Sequence, residues 1–201
     1  MSYSSKLTYK SILKCAKEEF LDKGFQKASM RKIAQRANVT TGAMYNYFKN
    51  KEILFDELVK KEANELIEHF KEEHDKCDKI KSYKDDNAYE EISSSTDSVL
   101  DYIYDNFEII KLIVCCSQGT KYENFVEELI DIEELATRKT LIKSGFEIKP
   151  KDDFFIHVMA SSGMYNTFEA VKHDLSKEDA MHYMNKIKHF YYAGWNEILD
   201  L

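Results

Sequence analysis

The sequence predicts an all-α protein, and two observations carry that prediction. The 201 residues include one proline and six glycines, which supplies too few turns for a β-rich fold and suits long helices instead. Apolar residues make up 43% of the chain and recur three and four positions apart, which is the spacing of an amphipathic helix face. We therefore expect about nine helices with enough apolar surface to bury a core.

The first predicted helix runs from Lys6 to Lys23. Its apolar stripe contains Ile12, Ala16 and Phe20, and Gly24 follows at the position of a helix-terminating glycine. The outer face carries four lysines, which are Lys6, Lys10, Lys14 and Lys17. This row is either a solvated helix face or a set of charges that attract phosphate groups, and the sequence leaves both interpretations open.

Two short helices joined by a tight turn are predicted next. The first covers Met30 to Ala37, and the small residue Ala34 on its apolar stripe leaves room for a close helix crossing. Asn38 falls where the chain reverses, because asparagine tolerates the left-handed conformation that such a turn requires. Thr40 is suited to cap the second helix, which covers Thr41 to Phe48.

The outer face of the helix from Thr41 to Phe48 has an unusual composition. Met44 and Phe48 are four residues apart and are expected to point inward. The outer positions carry hydroxyl, amide and small groups and no acidic side chain, and they are Thr41, Gly42, Tyr45 and Asn46, with Tyr47 at the border. Phosphate oxygens and base edges bind such groups, so the pair of helices suits a nucleic-acid groove. The alternative is a plain helical hairpin with a solvated, tyrosine-rich face.

The charge distribution supports the nucleic-acid interpretation. The whole chain has a formal net charge of -7, which by itself argues against a nucleic-acid partner. Residues 1 to 51, however, hold 11 Lys+Arg against 3 Asp+Glu, a net +8, while the remaining 150 hold 18 against 33, a net -15. An electrostatic footprint needs only one basic face, so the asymmetry is the informative quantity.

The rest of the chain continues the helical pattern. Asn50 is suited to cap a long fourth helix, and Ser176 with Asp179 forms a weak capping box at the last one. The predicted helices are Lys51 to Cys77, Tyr89 to about Asp105, Phe107 to Cys116, Tyr122 to Ser144, Asp152 to Lys172, and the segment after Ser176. The helix from Phe107 to Cys116 is apolar almost all round and should be buried. Asp78 to Asn87 is polar and predicts a connection.

Several function classes have no support in the sequence. The longest apolar stretches, such as Ile109 to Cys116, are too short for a membrane span, and no signal peptide is recognisable. Four cysteines do not form a disulfide framework, so we expect a reducing cytoplasm. No glycine-rich phosphate loop, H-E-x-x-H or G-x-S-x-G is present, so we expect no enzyme. His74 and Cys77 lack further ligands at suitable spacing, so neither a metal nor a cofactor is expected.

Three segments together resemble the N-terminal domain of TetR-family transcriptional regulators. They are G-F at Gly24, S-M-R-x-I-A from Ser29 to Ala34, and A-x-V-T-x-G-x-x-Y-x-Y-F-x-x-K-E-x-L from Ala37 to Leu54. The resemblance implies a helix-turn-helix DNA-binding domain over residues 1–50 and a helical ligand-sensing and dimerisation domain over 51–201. It assigns DNA contacts to Ser29, Met30, Thr40, Thr41, Gly42, Ala43, Tyr45, Asn46, Tyr47 and Lys51.

The same resemblance implies a repressor that binds a near-palindromic DNA operator as a homodimer and is released by a small molecule of unknown identity. Candidate ligand contacts are Phe107, Lys111, Cys115, Gln118, Tyr122, Tyr165 and Phe168. The last two helices carry more apolar surface than one core needs, which predicts a four-helix bundle with a second copy. The candidate interface is Phe155, Met159, Ser162, Gly163, Phe190, Tyr191, Gly194, Trp195 and Ile198. The alternative function is a small-molecule-binding or thiol-based redox-sensing protein with a vestigial DNA head, in which adjacent Cys115 and Cys116 respond to oxidants.

Overall fold

The computed structural model describes residues 3–77 and 87–198, and over those residues it is all-helical, as the sequence predicts. The helices are α1 (Tyr3–Lys27), α2 (Met30–Arg36), α3 (Thr41–Tyr47), α4 (Lys51–Cys77), α5 (Ala88–Asp105), α6 (Phe107–Cys116), α7 (Phe125–Lys143), α8 (Asp153–Lys172) and α9 (Lys177–Ile198), with a 3-10 turn at Pro150–Asp152. Nearly all of the predicted connection from Asp78 to Asn87 lies outside the described residues. None of the described helices is long and apolar enough to cross a membrane.

The chain packs as two compact units, each with its own core. Unit 1 comprises Met1–Asn64 and Phe107–Asn124, and unit 2 comprises Glu65–Asn106 and Phe125–Leu201. These units differ from the predicted domains of residues 1–50 and 51–201, because the first half of α4 and all of α6 belong to unit 1. Leu54 and Phe55 of α4 are fully buried there, so the helix-turn-helix core needs them.

An aromatic cluster forms the centre of unit 1. The ring centroids of Phe20 and Phe25 are 6.0 Å apart, and the Phe55 ring lies edge-on to both, at 5.1 and 5.5 Å. All three side chains are at most 5% exposed. The cluster therefore joins α1, the turn that follows Gly24, and α4.

Gly24 produces a kink where the sequence predicts a helix end. Its φ of +69° and ψ of 163° are not helical and favour glycine, yet one further helical turn continues to Lys27. The glycine thus redirects the chain, and Phe25 enters the aromatic cluster directly after it.

The helix predicted from Tyr122 begins three residues later, at Phe125. The Thr120 hydroxyl donates to the carbonyl of Ser117 at 2.7 Å and accepts the Tyr122 N–H at 3.0 Å. These bonds hold a turn in place of the first helical residues. In α6, Cys115 is exposed, so that helix is not buried all round as predicted; its buried residues are Ile110, Leu112, Ile113 and Cys116.

Unit 2 is built from the end of α4 and from α5, α7, α8 and α9. Helix α7 packs along α8, and α9 contacts both α5 and α8. Leu141, Ile156 and Trp195 form one buried cluster, with Met159 and Tyr191 packed against it. This cluster lies beside the cavity described below.

Candidate nucleic-acid interface and internal cavity

The start of α2 is fixed to α1 through one buried carboxylate. Glu19 is 4% exposed, and its Oε1 accepts the backbone N–H of Ser29 at 3.2 Å. The Ser29 hydroxyl in turn accepts the Lys32 N–H at 3.4 Å and caps the helix. Ser29, a predicted DNA contact, therefore already has a structural role as the N-cap of α2.

The turn between α2 and α3 has the predicted conformation. Asn38 has a φ of +56°, and the Val39 N–H donates to the Ala34 carbonyl at 3.0 Å. Thr40 caps α3 as predicted, because its Oγ1 accepts the Ala43 N–H at 3.1 Å. These local bonds fix the direction in which α3 leaves the turn.

Helix α3 is divided sharply into a buried and an exposed side. Met44 is fully buried and Phe48, at the C-cap, is 2% exposed. The exposed positions are those predicted for the outer face, namely Thr41, Gly42, Tyr45 and Asn46, with Ala43 and Tyr47 half-buried. Tyr45 is 47% exposed, whereas the Tyr47 hydroxyl lies 3.2 Å from the Ser5 Oγ. The surface is thus polar and free of carboxylates along the whole helix.

Lys51, predicted as a DNA contact, is engaged inside unit 1. Its Nζ donates to the carbonyls of Gln26 at 3.0 Å and Ala28 at 3.3 Å, and it lies 4.5 Å from the centroid of the Phe25 ring. The amine therefore satisfies the carbonyl groups at the end of α1, which the helix itself leaves without partners. A structural role at this position is visible only once the chain is folded.

Two exposed basic residues on α2 were absent from the predicted contacts. Arg31 and Lys32 are exposed in the first turn of α2, next to Met30, which is half-buried. Arg36, one turn later, is instead paired with Glu18 and lies 3.8 Å from Glu19. A basic pair that opens a helix beside a polar recognition surface was the available sequence signal for Arg31 and Lys32.

Comparison with known proteins identifies this substructure. Residues 12–58, which run from α1 through the first turns of α4, match the family described as bacterial regulatory proteins, tetR family. Residues 12–58 are thus a TetR-family segment. The matched residues contain the capped α2–α3 pair and all three rings of the aromatic cluster of unit 1.

Curated relatives resemble this chain over part of their length. The transposon Tn10 TetC protein of Escherichia coli is 32% identical over 101 residues, which are 50% of this chain and 47% of that protein. The fatty acid metabolism regulator protein of Bacillus subtilis is 35% identical over 65 residues, 32% of this chain and 34% of that protein. The matches thus span about a third to a half of these relatives.

Solved structures share the fold over nearly the whole chain. FadR from Bacillus subtilis, in complex with stearoyl-CoA, superposes with a TM-score of 0.61 at 20% identity and covers 92% of this chain and 98% of its own. A transcriptional regulator of the TerR/AcrR family from Aquifex aeolicus has a TM-score of 0.59 at 20% identity and covers 91% and 99%. The chain therefore shares its fold with these solved structures.

The candidate ligand residues are distributed over both units. Phe107, Lys111, Cys115, Gln118 and Tyr122 belong to unit 1, and Tyr165 and Phe168 belong to unit 2. Within unit 1, α6 packs against α1, and the Tyr122 hydroxyl donates to Asp56 at 2.5 Å. In unit 2 the Tyr165 hydroxyl donates to Glu127 at 2.6 Å, and Phe168 is 1% exposed.

Unit 2 contains a cavity of about 210 Å³ that none of those seven residues lines. Its walls come from α4, α5, α7, α8 and α9. Their aromatic and methionine side chains are Phe70, Tyr89, Met159, Met164, Met184, Tyr191, Tyr192 and Trp195. Its ionisable lining consists of Glu73, His74, Cys77, Glu133, Lys188 and tyrosines. His74 and Cys77 stand out in the sequence only as possible metal ligands, and no pattern within a single helix indicates this cavity.

The candidate dimer residues fall into two groups in the structure. Met159, Gly163, Tyr191 and Trp195 line the cavity, and Trp195 is only 9% exposed. The others are accessible: Phe190 is 70% exposed, Ile198 46% and Phe155 39%, with Gly194 exposed and Ser162 half-buried. Phe154, which the sequence interpretation passed over, is 77% exposed. An association surface would therefore use the second group, because Trp195 is already packed within its own chain.

The engagement of Lys51 predicts a loss of stability on its removal. Lys51→Ala should lower the free energy of unfolding by about 1–2 kcal/mol, because two carbonyl groups lose a charged donor. Lys49→Ala, at an exposed position two residues earlier, should change it by less than about 0.5 kcal/mol. Urea unfolding of both variants measures the difference, and equal stabilities would remove the structural role of Lys51.

Proposed function

We propose that this chain is a transcriptional repressor that binds a near-palindromic DNA operator as a homodimer and leaves it when a small molecule binds unit 2. The observation that carries the proposal is the exposed, uncharged, hydroxyl-bearing side of α3 within a TetR-family segment. The site of action is the cytoplasm, where the DNA is.

The proposed DNA surface combines positioning groups with groups that reach base edges. Arg31 and Lys32 supply exposed charges for phosphates, which position a protein on the duplex without reading its sequence. Thr41, Tyr45 and Asn46 supply donors and acceptors along α3 that can reach the major groove. The other proposed contacts lie around this surface: Ser29, Met30, Thr40, Ala43, Tyr47 and Lys51. Ser29, Thr40 and Lys51 already bond within the chain, so we assign them the role of holding α2 and α3 in place.

Gly42 has no packing reason to be a glycine. A Cβ atom at this position would meet no atom of another described part of the chain within 4 Å, and its backbone is helical. Glycine in a helix is destabilising relative to alanine by about 0.5–1 kcal/mol. A close approach of the backbone to an external partner accounts for a glycine that the fold itself does not use.

The proposed homodimer forms through the exposed apolar residues of α8 and α9. Phe154 and Val158 lie four residues apart on α8, and Phe190 and Ile198 lie two turns apart on α9. Large exposed apolar side chains on two helices that contact each other mark an association surface. When the same surface of two copies binds around a two-fold axis, both surfaces are covered and a dimer results. The two α3 helices of the dimer would then bind two DNA half-sites.

The thiol-sensing alternative finds little support in the cysteine environments. Burial, followed by the neighbouring Cys115, raises the pKa of the Cys116 thiol to about 11, so little reactive thiolate forms near neutral pH. Burial also raises the pKa of Cys77. A small-molecule effector is therefore the better proposal.

The DNA surface predicts opposite effects of one substitution on stability and binding. Gly42→Ala should leave the fold intact or slightly more stable, while it weakens duplex binding by about tenfold because a methyl group separates α3 from the groove. Thermal unfolding and a mobility-shift titration on the same preparations measure both effects. Gln35→Ala, at an exposed position on α2, provides a control, and unchanged binding by Gly42→Ala would remove the close approach from the proposal.

The dimer surface predicts a monomeric variant. Phe190→Glu should weaken self-association by ~100-fold, because a charge replaces an apolar side chain at the interface centre, while helical content stays unchanged. Ile142→Glu is the matched control, since Ile142 is 63% exposed but belongs to α7, which is not part of the proposed interface. Sedimentation equilibrium distinguishes the two, and a Phe190→Glu protein that remains dimeric contradicts this interface.

A further inference from the structure

The cavity of unit 2 carries an inference about the effector itself. We propose that it binds a small organic cation with an aromatic or apolar body, held between the carboxylates of Glu73 and Glu133 and a wall of aromatic rings. This inference rests on the proposed function in one respect, since it takes the cavity as the effector site. Its chemistry, however, follows from the lining residues alone.

The first carboxylate, Glu73, is buried and ionised. The residue is 5% exposed, and its Oε1 accepts hydrogen bonds from Ser98 Oγ at 3.0 Å and Lys76 Nζ at 2.6 Å. Burial by itself would raise the pKa of Glu73, but the hydrogen bonds from Lys76 and Ser98 outweigh it and lower the pKa below its usual value. The Lys76 side chain is 59% exposed and does not line the cavity, so the charge that pairs with Glu73 lies outside the cavity, whereas Glu73 itself lines it.

The second carboxylate, Glu133, faces the cavity from α7. Its Oε2 lies 3.2 Å from His74 Nε2, and the His74 ring packs edge-on against Phe70 at 4.7 Å. The field of Glu133 reaches two other lining residues. The pKa of Cys77 is raised mainly by burial, and further by the charges of Glu73 and Glu133. The pKa of Tyr191 is also raised mainly by burial, with smaller contributions from Tyr183 and Glu133. Hydrogen bonds oppose the shift in both residues but do not cancel it.

The cavity offers an anion little in return. Lys188 is the one lysine or arginine among the described lining residues, and its side chain is 5% exposed. Its Nζ lies 2.7 Å from Asp97 Oδ1, so its charge is already balanced within the fold. A carboxylate or phosphate ligand would have to compete with Asp97 for Lys188 and approach two carboxylates, whose like charge repels it.

The remaining walls suit the body of such a cation. Five aromatic rings line the cavity, from Phe70, Tyr89, Tyr191, Tyr192 and Trp195. Ring faces attract organic cations, and the attraction grows when the site excludes water. The volume of about 210 Å³ exceeds the cavity of about 150 Å³ that is known to hold benzene, so a small aromatic compound fits.

Three probes of similar size and different charge test the inference on the purified, full-length protein. They are benzyltrimethylammonium, benzyl alcohol and phenylacetate, which carry a positive charge, none and a negative charge. Trp195 is the single tryptophan of the chain and lines the cavity, so its fluorescence reports occupancy, and titration calorimetry gives the affinity. Benzyltrimethylammonium should bind at least tenfold more tightly than phenylacetate, with benzyl alcohol between them.

A pair of charge-removing variants on α7 locates the effect. Glu133→Gln should weaken benzyltrimethylammonium about tenfold and leave benzyl alcohol unchanged, because only the cation uses the carboxylate. Glu128→Gln removes an exposed carboxylate from the same helix outside the cavity and should leave all three affinities unchanged. If Glu133→Gln does not fold, as judged by circular dichroism, the ranking of the three probes on the unmodified protein decides alone.

Probe binding is measured without DNA, so the outcome for the cation site does not depend on whether the protein binds DNA. Preference for phenylacetate, or absence of binding by all three probes, overturns the cation site even if the protein retains duplex DNA. Equal loss of benzyltrimethylammonium in Glu133→Gln and Glu128→Gln also overturns it. Tight cation binding by a protein that does not retain DNA at low ionic strength supports the site and overturns the repressor proposal.

Discussion

The burial of four residues of α2 and α3 is the constraint on which the DNA-binding unit depends. Each of these helices has seven residues, too few to be stable in water alone, so they form because tertiary packing supports them. Four residues are each at most 2% exposed: Ile33, Ala34, Met44 and Phe48. They belong to the core of unit 1, whose centre is the aromatic cluster of Phe20, Phe25 and Phe55. Since this packing and the Thr40 cap hold α3, its other side needs no stabilising charges and can carry hydroxyl and amide groups.

The sequence predicted most of this unit because the signals are local. The Thr40 cap, the left-handed Asn38 and the bounds of α4 each depend on residues within one helical turn, and the structure confirms all three. The Asn50 cap is also confirmed, because its Oδ1 accepts the Ile53 N–H at 2.8 Å. Ser176 likewise caps α9, because its hydroxyl accepts the Asp179 N–H at 3.1 Å and donates to the Asp179 carboxylate at 2.7 Å.

Features that depend on distant residues could not be predicted in the same way. Lys51 bonds to carbonyl groups 23 and 25 residues away, and Lys188 pairs with Asp97, 91 residues away. The apolar pattern of α6 predicted burial but not its partner, which is α1. The lining of the cavity could not be predicted for the same reason. Five helices contribute to it, and the periodicity within one helix does not indicate which helix faces pack together.

The two units separate two kinds of chemistry along one chain. Unit 1 presents exposed basic and hydroxyl groups around α2 and α3, whereas the cavity of unit 2 is bordered by carboxylates and aromatic rings. This division matches the asymmetry of the sequence, which is basic over its first 51 residues and acidic afterwards. The proposed repressor would thus bind a polyanion and an organic cation at surfaces of opposite charge.

Selection of fragments of the source organism's DNA by the purified protein at low ionic strength tests the central claim most directly. The account predicts enrichment of a few fragments that share an inverted repeat, with half-sites about one helical turn, roughly 34–36 Å, or a multiple of it apart. Retention of all fragments to the same extent, or of none, would contradict the claim that the exposed side of α3 reads DNA.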